Sequence, residues 1–266
     1  SLVDGQEVNE YKHSNGIRKC YPNHEGTRVA LIDNSGNAWL YNPVNDDCIP
    51  IADFPNTADR ILWDSSDSTV FVACDQLNLY TFVYSQVEVG KSGVRCLGQL
   101  DLSADSQLHI EAAPTPLQHG QVGVLVSDGT VVCQQSSGTL SHLRLHSHDM
   151  SSQAHVMDTF ERQKGCFLQA LALNRFALAF KIGLALNSRD LWLALGRRSL
   201  ECLDIAWAKK AYRQAPAPGM VMYLDKIQTV EDKLLLSGHV SALFGNFAKA
   251  REYFLQSCSP ETALDM

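Results

Sequence analysis

The 266-residue sequence predicts a β + α chain in which part of a β-propeller, about three blades, passes into an α-solenoid of paired helices. Three observations predict it. The apolar period changes from two to about 3.6 near residue 150. Strand–turn–strand steps recur around Asp33, Asp75 and Asp128. A set of small and aromatic residues in the second half repeats itself at a constant shift.

From Ile17 to Leu145 the apolar runs are short, rich in β-branched and aromatic residues, and broken by turn residues. Val29-Ala30-Leu31-Ile32 leads into Asp33-Asn34-Ser35-Gly36 and then Ala38-Trp39-Leu40-Tyr41. Val70-Phe71-Val72-Ala73 leads through Asp75 to a run from Leu77 to Val83, and Val122 to Val126 leads through Ser127-Asp128-Gly129 to Thr130-Val131-Val132-Cys133. Asp and Gly at such positions are hairpin chemistry. The turn aspartates lie 42 and 53 residues apart (33 to 75, 75 to 128), and a period of about 40–45 residues with four strands per unit marks WD-type blades. Polar insertions at Ser85–Gly93 and Ala113–Gly120 account for the longer step. The remaining strands are expected at Ile17–Tyr21 and Cys48–Ala52, at Arg60–Trp63 and Val94–Leu100, and at Leu108–Ala112 and Leu140–Leu145. Trp63-Asp64 is a WD dipeptide, but it opens a unit instead of closing a third strand and is set aside. An antiparallel sandwich with strands every 8–12 residues or so is the competing fold. Three blades do not close a ring of the usual 4–8, so the chain reads as an internal fragment with further blades upstream or as an open arc.

After Ser151 helices are expected at Thr159–Leu173, Arg175–Leu186, Arg189–Arg197, Glu201–Arg213, Pro218–Thr229, Glu231–Phe244 and Asn246–Gln256, with another opening at Ser259-Pro260-Glu261. Asn174, Asn187-Ser188 and Gly245-Asn246 are the stop and start signals. Gly196, Ala208 and Tyr212 recur as Gly238, Ala250 and Phe254, each shifted by 42 residues. With Trp192 four residues before the first glycine, the offsets match tetratricopeptide-like hairpins. Small residues on facing helices let the backbones approach, and the aromatic is expected to fill the groove to the next hairpin. The domain boundaries are therefore 1–150 for the partial propeller and 151–266 for the helical hairpins.

Charge divides at the same place. Residues 1–150 hold 8 Lys+Arg against 18 Asp+Glu, and residues 151–266 hold 14 against 11. An acidic first half and a mildly basic second half lack the clearly basic face that nucleic acid requires. The longest apolar stretch, Phe176 to Leu186, is too short to cross a bilayer and is interrupted by Lys181, so no transmembrane segment is expected. The first residues have neither a basic nor an apolar signal region. Eight single cysteines with no CxxC pair predict free thiols, mostly buried, in a reducing compartment.

No catalytic constellation stands out. Nucleophile-elbow, HExxH, phosphate-loop and dinucleotide motifs are missing, and the aspartates fall in turns. A Cys/His-dependent hydrolase is the reading from a different class. His142, His146 and His148, with His155, form the best metal candidate, but their alternation with Leu143 and Leu145 fits the solvent face of a strand, so no metal and no cofactor is expected. Arg197-Arg198, Lys209-Lys210 and Arg213 are expected on solvated helix faces, and Trp192 and Trp207 in the core.

The runs Tyr21-Pro22-Asn23, Gly26-Thr27-Arg28, Leu31-Ile32-Asp33, Tyr41-Asn42-Pro43-Val44-Asn45-Asp46 and Ile61-Leu62-Trp63 resemble the late blades of WD-repeat/tetratricopeptide core subunits of intraflagellar transport complex A. Leu224-Asp225-Lys226-Ile227, Val230-Glu231-Asp232, Leu235-Leu236-Ser237-Gly238-His239 and Ser257-Cys258-Ser259-Pro260 resemble the first solenoid hairpins of that family. The likeness is thin over 85–120 and 215–219. It implies a non-catalytic scaffold in cilium assembly, retrograde transport and ciliary import of membrane proteins. Its partners would be the other complex A subunits and, indirectly, the motor and ciliary membrane cargo. Its place would be the cilium or flagellum and basal body, on the cytoplasmic side. A propeller–solenoid scaffold of a vesicle coat or tethering complex is the alternative.

Overall fold

The computed structural model describes residues 10–102, 108–148, 159–257 and 261. Its strands and helices follow one another in the expected order. β1 (Ile17–Pro22), β2 (Val29–Asp33), β3 (Ala38–Asn42) and β4 (Asp47–Pro50) form an antiparallel sheet in sequence order. β5 (Arg60–Trp63), β6 (Val70–Cys74), β7 (Asn78–Glu88), β8 (Lys91–Leu102) and β9 (Leu108–Ala112) form the second sheet, with β10 (Thr115–Pro116) on β7. β11 (Val122–Ser127), β12 (Thr130–Gln134) and β13 (Leu140–Arg144) form the third. The chain thus carries a partial WD-type propeller followed by a tetratricopeptide-like solenoid.

Turn chemistry sets the first hairpins. Asp33 Oδ1 accepts from the backbone N–H groups of Ser35 and Asn37, both at 2.9 Å, and Gly36 takes φ +87°. Asp75 Oδ1 likewise accepts from Leu77 N–H. Asp128 works differently: with φ +44° it precedes Gly129 at φ +68°, the two left-handed residues of a tight two-residue hairpin pairing Ser127 with Thr130. β6 is buried along its whole length, as a central strand covered on both faces must be. Phe71 lies between Trp63 and Phe82, with centroids 4.9 and 5.4 Å away. Val72, Cys74, Leu79, Val126, Val131, Cys133 and Leu145 form a core shared by the second and third sheets.

One expectation needs correction. Leu108–Ala112 is not the first strand of the third blade. It pairs with β8, from Gly98↔Ala112 to Leu102↔Leu108, leaving the third sheet with three strands among the described residues. Strands separated by a short connection pair with each other more readily than across a crossover. The polar insertion expected at Ser85–Gly93 takes the form of an extended hairpin, with β7 running on to Glu88 and β8 starting at Lys91. Within Ala113–Gly120, Thr115 pairs with Leu79 and Pro116 with Asn78, an edge position where proline's missing N–H costs nothing.

The helices are α1 (Thr159–Ala172), α2 (Phe176–Leu186), α3 (Arg189–Glu201), α4 (Ile205–Gln214), α5 (Pro218–Ile227), α6 (Lys233–Leu243) and α7 (Phe247–Gln256). Asn174 (φ +55°) and Asn187 (φ +43°) end α1 and α2 in the left-handed region. Asp204 accepts from Trp207 N–H, Asp232 from Leu234 N–H and Asn246 from Lys249 N–H, capping α4, α6 and α7. These caps place α4 and α6 later than the expected Glu201 and Glu231. The helix opening at Ser259-Pro260-Glu261 lies outside the described residues apart from Glu261.

The chain divides into two compact units. One holds residues 1–83, 94–96 and 114–145; the other holds 84–93, 97–113 and 146–266. Each unit has its own core. In the second, Phe167, Leu171, Ala179, Trp192 and Leu195 centre one cluster, and Leu200, Ala208, Tyr212, Leu224 and Val240 another.

Candidate interaction surface

The repeat positions meet as close contacts within each hairpin. A Cβ on Gly196 of α3 would stand 2.8 Å from Cε2 and Cζ of Tyr212 on α4. A Cβ on Gly238 of α6 would meet the Phe254 ring of α7. Ala208 and Ala250 are fully buried. The aromatic therefore packs on the glycine of its own hairpin, while Tyr212 also joins Leu224 of α5 and Val240 of α6 in one core. Burial pushes the Tyr212 phenol up to about 12. Trp192 is buried among Phe167, Leu171 and Leu195. It lies against a third small residue absent from the expectations: a Cβ on Gly183 of α2 would stand 2.9 Å from Trp192 Cη2. The readable signal was a lone glycine inside the apolar run of α2.

The basic residues separate into two groups. Arg198, expected on a solvated face, is buried within the helical unit. Its guanidinium donates to Asn174 Oδ1 (3.2 Å), Glu201 Oε2 (2.9 Å), the Gln86 carbonyl (3.1 Å) and Ser85 Oγ (3.3 Å). Five donors in a planar fork suit this cage, which a single ammonium could not fill. Arg197 stacks over Phe244 at 4.9 Å, and Lys209 pairs with Asp225. Residues 84–93 belong to the same unit. There Tyr253 donates to the Val89 carbonyl at 2.6 Å, and Lys249 reaches Glu88 at 2.7 Å. Gly90 (φ +74°) fits because a side chain there would meet Ser237 Oγ at 2.7 Å. Lys210 and Arg213 are exposed, as expected.

In the other unit the sheets are sewn by a carboxylate. Asp64, the residue of the dipeptide set aside above, is fully buried. It accepts from Ser66 N–H and Oγ–H, Asp128 N–H (3.0 Å) and Gly129 N–H (2.9 Å), so one side chain of the second sheet holds the hairpin turn of the third. Burial pushes this carboxyl up, but the hydrogen bonds outweigh it and hold it below the usual carboxylate range. Trp63 Nε1–H bonds the Tyr21 carbonyl at 2.8 Å, and Arg60 bonds the Gly123 carbonyl at 3.1 Å. β1, β5 and β11 thus converge, and Tyr21, Pro22, Leu62, Trp63, Val124 and Leu125 are among the residues lining a cavity of about 340 Å³ between them.

His142 and His146 are exposed, whereas His148 is buried and contacts Ser147 Oγ at 3.0 Å, contrary to the solvent-face expectation. Residues 146–148 form a short 3-10 turn instead of continuing the strand, and Gln169 of α1 donates to the Ser147 carbonyl at 2.6 Å, so strand alternation does not set this burial. His155 lies outside the described residues. Among the described residues no group of three His, Cys, Asp or Glu could hold a metal ion, and no helix is long and apolar enough to cross a membrane. The described cysteines are free, but only Cys74 and Cys133 are buried and Cys20 is exposed, so their thiols are less uniformly internal than expected. Burial pushes the Cys74 thiol up to about 12.

Antiparallel sheets joined strand to strand by tight turns, followed in the chain by glycine-packed helical hairpins, define a WD-repeat protein of the propeller–solenoid class. Residues 1–148 match the family model described as the WDR19 second beta-propeller, and the chain belongs to that family. The family is one of WD-repeat scaffolds, generally non-catalytic. WD repeat-containing protein 19 from Mus musculus is 32% identical over 268 residues, covering 100% of this chain and 19% of that protein. The Homo sapiens protein of the same name is 30% identical over 268 residues, covering 100% of this chain and 19% of its own length. WD repeat-containing protein dyf-2 from Caenorhabditis elegans is 26% identical over 271 residues, covering 100% of this chain and 18% of that protein. The chain therefore spans about a fifth of the length of these relatives.

Proposed function

We propose that this chain is part of a non-enzymatic scaffold subunit of intraflagellar transport complex A. In this reading the subunit acts in retrograde ciliary transport, cilium assembly and ciliary import of membrane proteins through protein–protein contacts. Its partners are the other complex A subunits and, through the assembly, the motor and ciliary membrane cargo. It resides in the cilium and basal body, on the cytoplasmic side. The observation that carries the reading is full-length similarity of the chain to WD repeat-containing protein 19, joined to a blade-then-hairpin order suited to extended binding surfaces. We take 1–150 and 151–266 as the two domains. Trp192, Gly196, Ala208, Tyr212, Gly238, Ala250 and Phe254 are their structural repeat positions in the helical part. Affinity purification of the tagged full-length protein, with imaging in ciliated cells, tests the proposal. Co-purification with ciliary transport subunits and a ciliary signal are expected. Localisation to endomembranes alone would overturn it in favour of a vesicle-coat scaffold.

A further inference from the structure

Apart from Lys181 the helix α2 is apolar, FALAFKIGLAL, a pattern that normally belongs to a buried helix. It nevertheless buries only Phe176, Ala179 and Gly183. Leu178 is 46% and Leu184 55% exposed, and Ala177, Lys181 and Ala185 are exposed with them. Residues 177, 181 and 184, and 178, 181 and 185, recur at helical spacing, so a single outward face about two turns long carries aliphatic groups around one cation. Phe180 connects this face to α4, its ring 5.7 Å from Trp207, and the Lys210 ammonium sits 3.9 Å from the Trp207 ring centroid. The ring holds Lys210 in place yet leaves its N–H donors for a further acceptor.

Charge on this face is one-sided. Neither α2 nor α4 contains a carboxylate. Among the described residues Lys209 and Lys249 are neutralised by Asp225 and Glu88, and Arg198 is bound to Glu201. Among the described residues no ion pair engages Lys181, Lys210 or Arg213, all of which are exposed. A surface of leucines and alanines bordered by exposed ammonium and guanidinium groups complements one kind of partner.

We propose that the α2–α4 face docks an acidic amphipathic helix of a partner protein. Its leucine or phenylalanine side chains would lie along Leu178 and Leu184, and its carboxylates would meet Lys181, Lys210 and Arg213. Three cations fall short of the four to eight or so that define a polybasic lipid-binding cluster, which favours a peptide over an anionic membrane. This deepens the scaffold reading by giving one surface a partner chemistry. The test uses purified chain and a defined probe, so its failure is separable from failure of the complex assignment.

The probe is a synthetic helical peptide alternating Glu with Leu and Phe at helical spacing, labelled for fluorescence anisotropy. Binding by the 266-residue chain that weakens with added salt is expected. Lys181→Glu with Lys210→Glu should weaken it at least about tenfold, and Leu184→Asp should do so independently. Lys226→Glu, at an exposed position of α5, should leave it unchanged, and far-UV circular dichroism checks that each variant is folded. Equal binding by the double variant, or equal binding of a peptide with Gln in place of Glu, would overturn the proposal. So would flotation with phosphatidylserine vesicles combined with no binding of the peptide.

Discussion

The ring of Tyr212 occupies the space that a side chain at Gly196 would need: a Cβ there would stand 2.8 Å from two of its carbons. Gly238 bears the same relation to Phe254, 42 residues on in both members of the pair. The repeat read in the sequence is thus a repeated steric arrangement, in which the glycine lets an aromatic from the facing helix lie flat against the backbone.

Gly196→Val should therefore destabilise the chain by about 1–3 kcal/mol through overpacking. Urea unfolding followed by far-UV circular dichroism reads this as a lower midpoint with an unchanged slope. Tyr212→Leu in the same background should recover part of the loss, a coupling between neighbours that a distant substitution would not show.

Arg198→Met leaves the Gln86 carbonyl, Asn174 and Ser85 without their donor and Glu201 without its closest cation. A loss of about 3–5 kcal/mol is expected, the range for breaking one side of a buried pair. Arg198→Lys should recover only part of it, because one ammonium cannot reach the spread of acceptors that the fork serves. Equal thermal midpoints for Lys and Arg at this position would contradict the fork argument.

Asp64→Ala removes the acceptor for Asp128 N–H, Gly129 N–H and Ser66 and leaves a buried site with unmet donors. About 3 kcal/mol or more should be lost. Amide hydrogen exchange should accelerate first at the hairpin between β11 and β12, because that turn loses its cross-sheet tie.

Acid should act on the same unit. Burial pushes Asp33, Asp64 and Asp75 up, but the hydrogen bonds they accept prevail and hold all three below their ordinary range. A folded-state value below the unfolded one contributes stability that is fully present above about pH 3.9 in the unfolded reference and is lost as pH falls through the folded values. The unfolding midpoint should drop as pH is lowered toward about 3, and Asp64→Asn should flatten that slope.

His239 reports on the helices at milder pH. It contacts Tyr223 OH at 3.1 Å and the Phe254 ring at 5.1 Å between centroids, and burial holds its pKa below 6.5. The unfolded state then binds the proton more readily, so this contribution is present above about pH 6.5 and falls away as pH drops through the folded value. A helical thermal midpoint that decreases from about pH 7 to about pH 5, and does so less in His239→Gln, is the expected result.

Sequence alone determined the element types, most strand bounds, the seven helices among the described residues and the glycine–aromatic repeat. Each follows from chemistry within a few residues: alternation of two or about 3.6, Asp and Gly in turns, Asn at left-handed helix ends. Tertiary structure decided what depends on distant partners. It moved β9 from the third sheet to β8, laid Gly183 against Trp192 and enclosed Arg198 with Gln86 and Ser85. It also made Asp64 a cross-sheet tie. Asp64 and Arg198 look like any turn acid and helix base in one dimension, because an unpaired charge prefers water. Only a fold that supplies hydrogen bonds from residues far along the chain makes burying them favourable.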